Sequence, residues 1–478
     1  MKKALSIILT LGMLLTVFAV FATAQTPAPP MLAGGNWHTM ALRADGTVLA
    51  WGANGDGQLG NNSWFEHFEP VYALGMNNVI DIATSANHSV ALRNDGTVWA
   101  WGSNQYGQLG VVIAPPVRRI PVQVPGISDV SAIAAGGVHT VALRNDGTVW
   151  TWGNNDLGQL GDGTTNNRVT PMQVQGLSDI TVIAASFAHT VVLRADGTVW
   201  SWGLNNHGQL GDGTTLRRLT PVQVRELDNV IAVGVGAEYT VALRSDGTVW
   251  TWGNNDYHQL GNNTTARRAT PGQVQGISNV TAIDAGNFHV VALRNDNTVW
   301  TWGRNTFGQI GDGTTIQRHA PTQVPGLSNV TSIAAGGQHS LAIRNDNTVW
   351  AWGNNLNGQL GDGTTAWRTT PVQVLGPAGI GLLNIGTGNP HGNNATGSLQ
   401  RGDILALNLL PASENVNWSS SNSRVASVDQ NGNVTAARRG TATITATDGA
   451  NSASVTITVN YSWWQWIVLI LFFGWIWF

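Results

Sequence analysis

The sequence predicts an all-β protein, a seven-bladed β-propeller followed by a small β-sandwich, and three observations predict it. The pair Trp-Gly recurs at Trp51, Trp101, Trp152, Trp202, Trp252, Trp302 and Trp352, at spacings of 50, 51, 50, 50, 50 and 50 residues. Self-similarity at a fixed period of this size marks a repeat architecture. Within each copy, short alternating apolar and polar runs are punctuated by glycine, the pattern of strands and tight turns. Beyond the seventh copy the period vanishes and another series of short strands begins.

The third copy shows the elements in order. Ser131-Ala-Ile-Ala-Ala135 leads into Gly136-Gly137, and His139-Thr-Val-Ala-Leu-Arg144 alternates at the strand period. Asp146-Gly147 is a two-residue hairpin signal, because glycine takes the positive φ that such a turn demands. Thr148-Val-Trp-Thr-Trp152 returns with Trp150 and Trp152 on one face. Gly153, Gly158, Gly161 and Gly163 punctuate a polar loop, and Pro171-Met-Gln-Val174 restarts an extended run. Four strands in about fifty residues make one blade, which cannot bury both faces of its sheet alone. Seven blades in a ring solve that problem.

The repeated residues resemble the regulator-of-chromosome-condensation (RCC1) type of repeat. The resemblance rests on Gly-Gly-x-His-Thr/Ser, Ala-Leu-Arg-x-Asp-Gly-Thr-Val-Trp-x-Trp-Gly and Gly-Gln-Leu-Gly, and it covers residues 32–388. It implies a propeller whose activity resides in loops on a scaffold. Nuclear members of the family act as exchange factors for a small GTPase through an inserted wedge in one blade, and neither the partner nor the wedge is expected here. Secreted bacterial members that inhibit β-lactamases are closer in location, although no residue of this sequence identifies that target.

The ends of the chain predict export. Lys2 and Lys3, an apolar run over 4–21 and the small-residue site Ala22-Thr-Ala24 read as a signal peptide, residues 1–24. Its loss leaves 22 basic and 27 acidic residues, a net charge of -5, which gives no basis for nucleic-acid binding. No lysine remains and the chain has no cysteine, which excludes Schiff-base lysines, cysteine nucleophiles, thiolate metal sites and disulfides. The first repeat opens on only Met31-Leu-Ala33, whereas Ile380-Gly-Leu-Leu-Asn-Ile385 reads as an orphan copy of the missing strand. That segment is expected to pair into the first blade and close the ring.

The propeller is expected over 32–388, a Gly/Asn/Thr-rich linker over 389–396, and a separate domain over 397–460. In that domain Val416-Asn-Trp-Ser-Ser-Ser-Asn422, Val425-Ala-Ser-Val-Asp429 and Gly440-Thr-Ala-Thr-Ile-Thr-Ala-Thr447 resemble the bacterial immunoglobulin-like group 2 domain. The resemblance implies an Ig-like sandwich of the kind used as spacers or adhesive units on bacterial surfaces. The last sixteen residues, Trp463-Trp-Gln-Trp-Ile-Val-Leu-Ile-Leu-Phe-Phe-Gly-Trp-Ile-Trp-Phe478, are an apolar tail expected to contact membrane. As a helix they would reach about 24 Å, against roughly 30 Å of hydrocarbon.

Residues common to all copies are expected to build the fold. His38, His88, His139, His189, His289 and His339 share one repeat position, with Tyr239 in the fifth copy. Local hydrogen bonding outweighs a shared metal, because each sits in its own blade. The Arg-x-Asp pairs, such as Arg144 and Asp146, read as turns with interblade ion pairing, and the Gly-Asp-Gly-Thr-Thr segments as turns without the further ligands of a calcium loop.

Binding is expected where the copies disagree. The loop after Gly60 carries Trp64, Phe65 and Phe68, and the loop after Gly110 carries Val111, Val112 and Ile113. The position before Gly-Gln-Leu-Gly or its equivalent carries Tyr106, Tyr257 and Phe307. These nine residues are the candidate surface for an envelope or extracellular protein or glycan, since exposed aromatics anchor interfaces. The alternative to a binding or adhesion protein is an envelope glycan hydrolase or lyase using off-pattern acids among Glu66, Glu69, Asp81, Glu226, Glu238 and Asp284. They show no paired-carboxylate signature, so no enzyme and no cofactor is expected. An architectural spacer is the third reading.

Overall fold

The computed structural model describes residues 30–112, 116–377 and, beyond them, parts of 397–460. The first blade is an antiparallel meander of β1 (Met31–Gly34), β2 (His38–Leu42), β3 (Val48–Gly52) and β4 (His67–Tyr72). Six further four-stranded sheets repeat it between Val79 and Gln373. Innermost strands touch in cyclic order, and β1 contacts both Val79–Thr84 of blade 2 and Val330–Ala335 of blade 7. The ring is closed.

The cores lie between blades. Met40, Leu42, Val48 and Ala50 of blade 1 pack with Val79, Ile82, Ala91 and Trp101 of blade 2. At the closure Leu32, Leu49 and Trp51 pack with Leu341, Ile343, Leu360 and Val374. The seven Trp-Gly indoles are the largest fully buried side chains, and an aromatic of this size removes about 150–250 Å² from water. Trp150 and Trp152 do share one face, both turned toward blade 2. Gly60, at φ +70°, passes the Trp101 indole so closely that a Cβ would sit 2.8 Å from Nε1.

One expectation is corrected here. The first blade lacks no strand, because Met31–Gly34 pairs with β2 through Met31↔Leu42 to Gly34↔Thr39 and fills the innermost place. It is shorter than its six-residue counterparts, which is why the sequence reads as truncated. The segment 380–385 proposed for that place lies outside the described residues, as do the predicted signal peptide, linker and apolar tail. No described helix is long and apolar enough to cross a membrane.

The second unit is a sandwich. Gly397–Gln400, Asn417–Ser420, Gly440–Asp448 and Asn451–Asn460 form one sheet, and Ile404–Ala406, Ala426–Val428 and Asn433–Ala436 the other. Val425, Ala426, Val434, Ala442, Ile444 and Val459 are its core, with Trp418 packed against them. The strand Gly397–Gln400, which pairs in parallel with Asn451–Asn460, was not evident in the sequence.

Candidate functional site: the loop end of the propeller

Strand register fixes which loops meet. His38 pairs with Gly52, and Gly52 with His67. The turn at 35–37 and the loop 53–66 therefore leave the same end of the blade. The Asp-Gly hairpins lie at the opposite end.

The recurrent residues are spent on structure. At six of the seven seams His Nε2 lies 2.9–3.1 Å from a Thr or Ser hydroxyl of the next blade. That hydroxyl donates to the carbonyl of the Gln in Gly-Gln-Leu-Gly, so it accepts from the imidazole and fixes the Nε2–H tautomer. The Trp indole donates to the same carbonyl at every seam. These imidazoles are fully buried, and desolvation lowers their pKa to about 3, or about 4 for His289. They make local bonds between blades, as read from the sequence, rather than a shared ring of ligands.

The hairpin aspartates cap their own turns. Asp146 Oδ1 accepts from both the amide and the hydroxyl of Thr148, and Arg144 pairs with Asp146 at 3.2 Å and with Asp129 at 3.5 Å. The turn reading holds. The interblade ion pairing does not, because these partners belong to one blade, where the guanidinium also covers the Trp150 ring. In the Gly-Asp-Gly-Thr-Thr loop Asp162 accepts from Thr164 and Asn155 and pairs with Arg168 at 2.8 Å, which leaves a tied turn.

The off-pattern acids are dispersed. Asp81 of blade 2 accepts from the Ile133 amide of blade 3, and Asp284 of blade 6 from the Ala335 amide of blade 7. Burial raises their pKa to about 7 and about 6 respectively, against those hydrogen bonds. Glu238 pairs with His207. Among the described residues no hydrogen bond joins any two of the six candidate acids.

The predicted binding residues divide. Phe65, Trp64, Val112 and Phe68 are exposed, whereas Val111 is buried against Leu109 and Val124 in the core between blades 2 and 3. Val111 therefore cannot join an exposed surface; its carbonyl accepts from Asn104, which pulls the residue inward. Ile113 lies outside the described residues. Arg119 of blade 2 covers the Trp64 ring at 4.9 Å. Phe68 packs on Gly358 of blade 7, and its carbonyl accepts from the Gly363 amide. Half-buried Phe307 meets Trp367 at 5.2 Å, and half-buried Tyr257 meets Phe288 at 5.0 Å. Tyr106 is half-buried, its amide bonded to Gln108.

Sequence reasoning missed part of this surface. Phe65 (80 % exposed), Ile316 (63 %), Leu356 (61 %), Trp367 (51 %) and Trp64 (48 %) all project from loops joining the third and fourth strands of blades 6, 7 and 1. Phe65, Ile316 and Leu216 of blade 4 (64 % exposed) hold one repeat position, five after Gly60, Gly311 and Gly211. Aligning that position across all copies, rather than only in the two most divergent loops, would have found Ile316 and Leu216. Blade 5 offers the contrast: Asp256 and Arg267, at the positions of Leu356 and Trp367, form an ion pair at 3.0 Å.

Comparison with known proteins agrees with this architecture. Residues 23–242 match the RCC1-like domain, and 246–293, 296–343 and 346–391 match the regulator of chromosome condensation (RCC1) repeat. Residues 408–459 match the bacterial Ig-like domain (group 2). The chain belongs to the RCC1-repeat propellers and carries a group 2 bacterial Ig-like domain behind the ring. It is 34 % identical over 136 residues to the human E3 ubiquitin-protein ligase HERC2 and 44 % identical over 135 residues to the human probable E3 ubiquitin-protein ligase HERC4. Each stretch is 28 % of this chain but only 3 % and 13 % of those relatives. Among solved structures, human WBSCR16 aligns with TM-score 0.63 at 23 % identity over 69 % of this chain and 94 % of its own. Yeast RCC1 (Prp20), solved with Kap60, aligns with TM-score 0.63 at 22 % identity over 73 % and 85 %. These likenesses show the fold.

Proposed function

We propose that the protein is an exported binding scaffold of the cell envelope, whose propeller holds a protein partner against the loop end of blades 6, 7 and 1. The observation that carries this is that exposed Phe65, Trp64, Trp367, Leu356 and Ile316 fall on the neighbouring loops of blades 6, 7 and 1. Exposed apolar groups on adjoining loops mark interaction sites, and each such side chain contributes about 1.5–3 kcal/mol when buried by a partner. Export rests on the leader-like residues 1–24, and envelope location on the group 2 Ig-like domain and the apolar tail. An RCC1-type propeller paired with such a domain fits a protein-interaction scaffold.

The test is affinity capture from envelope fractions with the full-length protein and its Trp64→Ala/Phe65→Ala variant, alongside melting curves. A partner captured by the parent and lost by the variant, with the melting temperature held within about 2 °C, is the expected result. Capture that survives the double substitution would move the site off this surface. Recovery of the protein in the cytoplasmic fraction would overturn the export reading.

A further inference from the structure

We propose a second binding site, for a glycan bearing carboxylate groups, at the seams joining blades 4, 5 and 6 on the loop end. Several positions depart from the repeat there. Arg304 replaces the buried asparagine found at Asn154, Asn254 and Asn354, and Tyr239 takes the place of the histidine. His207, Glu238, Tyr257 and Phe288 fill positions that vary freely around the ring. They meet in space.

Arg304 does not turn inward as the asparagines do. Its guanidinium lies 4.8 Å from the Tyr257 ring centre and 5.8 Å from that of Phe288, while Nε donates to Thr306. The two rings are tilted by 52° and form an aromatic shelf across the seam between blades 5 and 6. Among the described residues Arg304 has no ion pair, so its terminal N–H groups keep their charge and fork geometry for a carboxylate. Stacking on two aromatic faces holds the fork in place and reduces the entropy lost on binding.

The preceding seam, between blades 4 and 5, carries planar polar groups on the same end of the ring. Asn254 donates to Glu238 at 2.9 Å and approaches Asp256 at 3.3 Å, while His207 approaches Glu238 at 3.3 Å. Both of those contacts to Glu238 use Oε2, and Oε1 has no partner in the described residues. A free carboxylate oxygen accepts from a sugar hydroxyl, and an aromatic shelf accepts the C–H face of a pyranose. The free Glu238 oxygen separates the ligand classes, because a glycan carries hydroxyl donors beside its carboxylates whereas the side chains of an acidic peptide carry acceptors only. A uronate offers its carboxylate to Arg304 and a hydroxyl to Glu238. Arg304 shares the blade 6 loop with Ile316 of the partner surface, but Trp64 and Phe65 lie in the blade 1 loop, so Trp64→Ala/Phe65→Ala leaves this site intact.

Calorimetric titration of the full-length protein with oligogalacturonate, alginate and hyaluronate oligosaccharides, with their methyl esters and with oligoglutamate, tests this. At least one carboxylated saccharide binds, and Arg304→Gln weakens it roughly tenfold or more, as loss of a charge-assisted pair requires. Methyl esterification of the ligand produces a similar loss on the parent protein. Tyr257→Leu, which removes one of the rings that hold the Arg304 fork, weakens the carboxylated saccharides more than the esterified ones. Melting curves accompany each variant, and the esterified ligands give a test that needs no variant at all. The proposal is overturned if none of the uronates binds, if Arg304→Gln binds as the parent does, or if oligoglutamate binds equally well.

Discussion

Two seams of the ring invite comparison: the closing seam between blades 7 and 1, and the internal seam between blades 5 and 6. The closing seam joins the two ends of the propeller, yet it repeats the internal pattern in full. His339 meets Thr39 at 2.9 Å, Thr39 donates to the Gln359 carbonyl, and Trp51 donates to the same oxygen. The covalently continuous 5/6 seam is the one that departs. Tyr239 replaces His, its hydroxyl reaches the carbonyls of Gly286 and His289, and Val290 replaces the Thr or Ser that a histidine would need. Two substitutions compensate one another, since a hydroxyl left facing Tyr239 would be a buried acceptor without the imidazole N–H it receives at the other seams. Closure here needs no special chemistry, and the irregular seam adjoins the irregular loops.

Acid should break this ring first where it is regular. The six clasp histidines have folded pKa values near 3 to 4, below the ordinary 6.5. The unfolded chain therefore binds more protons between those values, and stability is lost as pH falls from about 6.5 toward 3. Asp81 and Asp284 oppose this. Their pKa values are raised to about 7 and about 6, so they regain stability as pH falls from there toward 3.8. Six groups outweigh two. Denaturant unfolding at pH 7.5 and pH 4.5 should show a loss of several kcal/mol, the largest effect expected here, given about 1.4 kcal/mol per pKa unit. Equal stability at the two pH values would mean that the imidazoles are hydrated in solution.

The irregular seam can be made regular. Tyr239→His alone places an Nε2–H against Val290 and should cost about 1–3 kcal/mol for the unmet donor and the lost volume. Adding Val290→Thr restores the receiving hydroxyl and should recover most of that loss, while steepening the acid dependence by one more histidine. A double-mutant cycle measures this coupling. Additive costs would show that the two positions do not compensate each other.

Most of the fold was legible in the sequence, because the period of fifty and the Trp-Gly pairs fix strand number and blade size. The innermost strand of blade 1 was misread for a physical reason: it has four residues, below the length at which alternation is recognisable. The second-unit strand Gly397–Gln400 was hidden in a run of Gly, Ser and Asn flanking the predicted linker. The candidate surface was legible only in part. Side-chain type marked Trp64 and Phe65, but Val111 carries the same apolar signal and is buried, since periodicity does not show which way a loop turns. Leu356 and Trp367 were passed over because each is a single change in an otherwise regular loop.

That last pair gives the smallest expected change in stability and the sharpest separation of fold from function. Blades 5 and 7 differ at two facing positions, where Asp256 and Arg267 form an ion pair and Leu356 and Trp367 are exposed apolar groups. Writing blade 5 into blade 7 with Leu356→Asp and Trp367→Arg replaces exposed apolar surface with a pair worth about 0–1 kcal/mol, and removes the Phe307 ring contact worth about 0.5–1.5 kcal/mol. These terms nearly cancel, so the melting temperature should move by no more than about 2 °C. Partner capture should fall sharply, because two side chains of the apolar arc are replaced by hydrated charges whose desolvation opposes binding. A large fall in melting temperature would assign Trp367 to the scaffold. Unchanged capture would confine the partner surface to Trp64, Phe65 and Ile316.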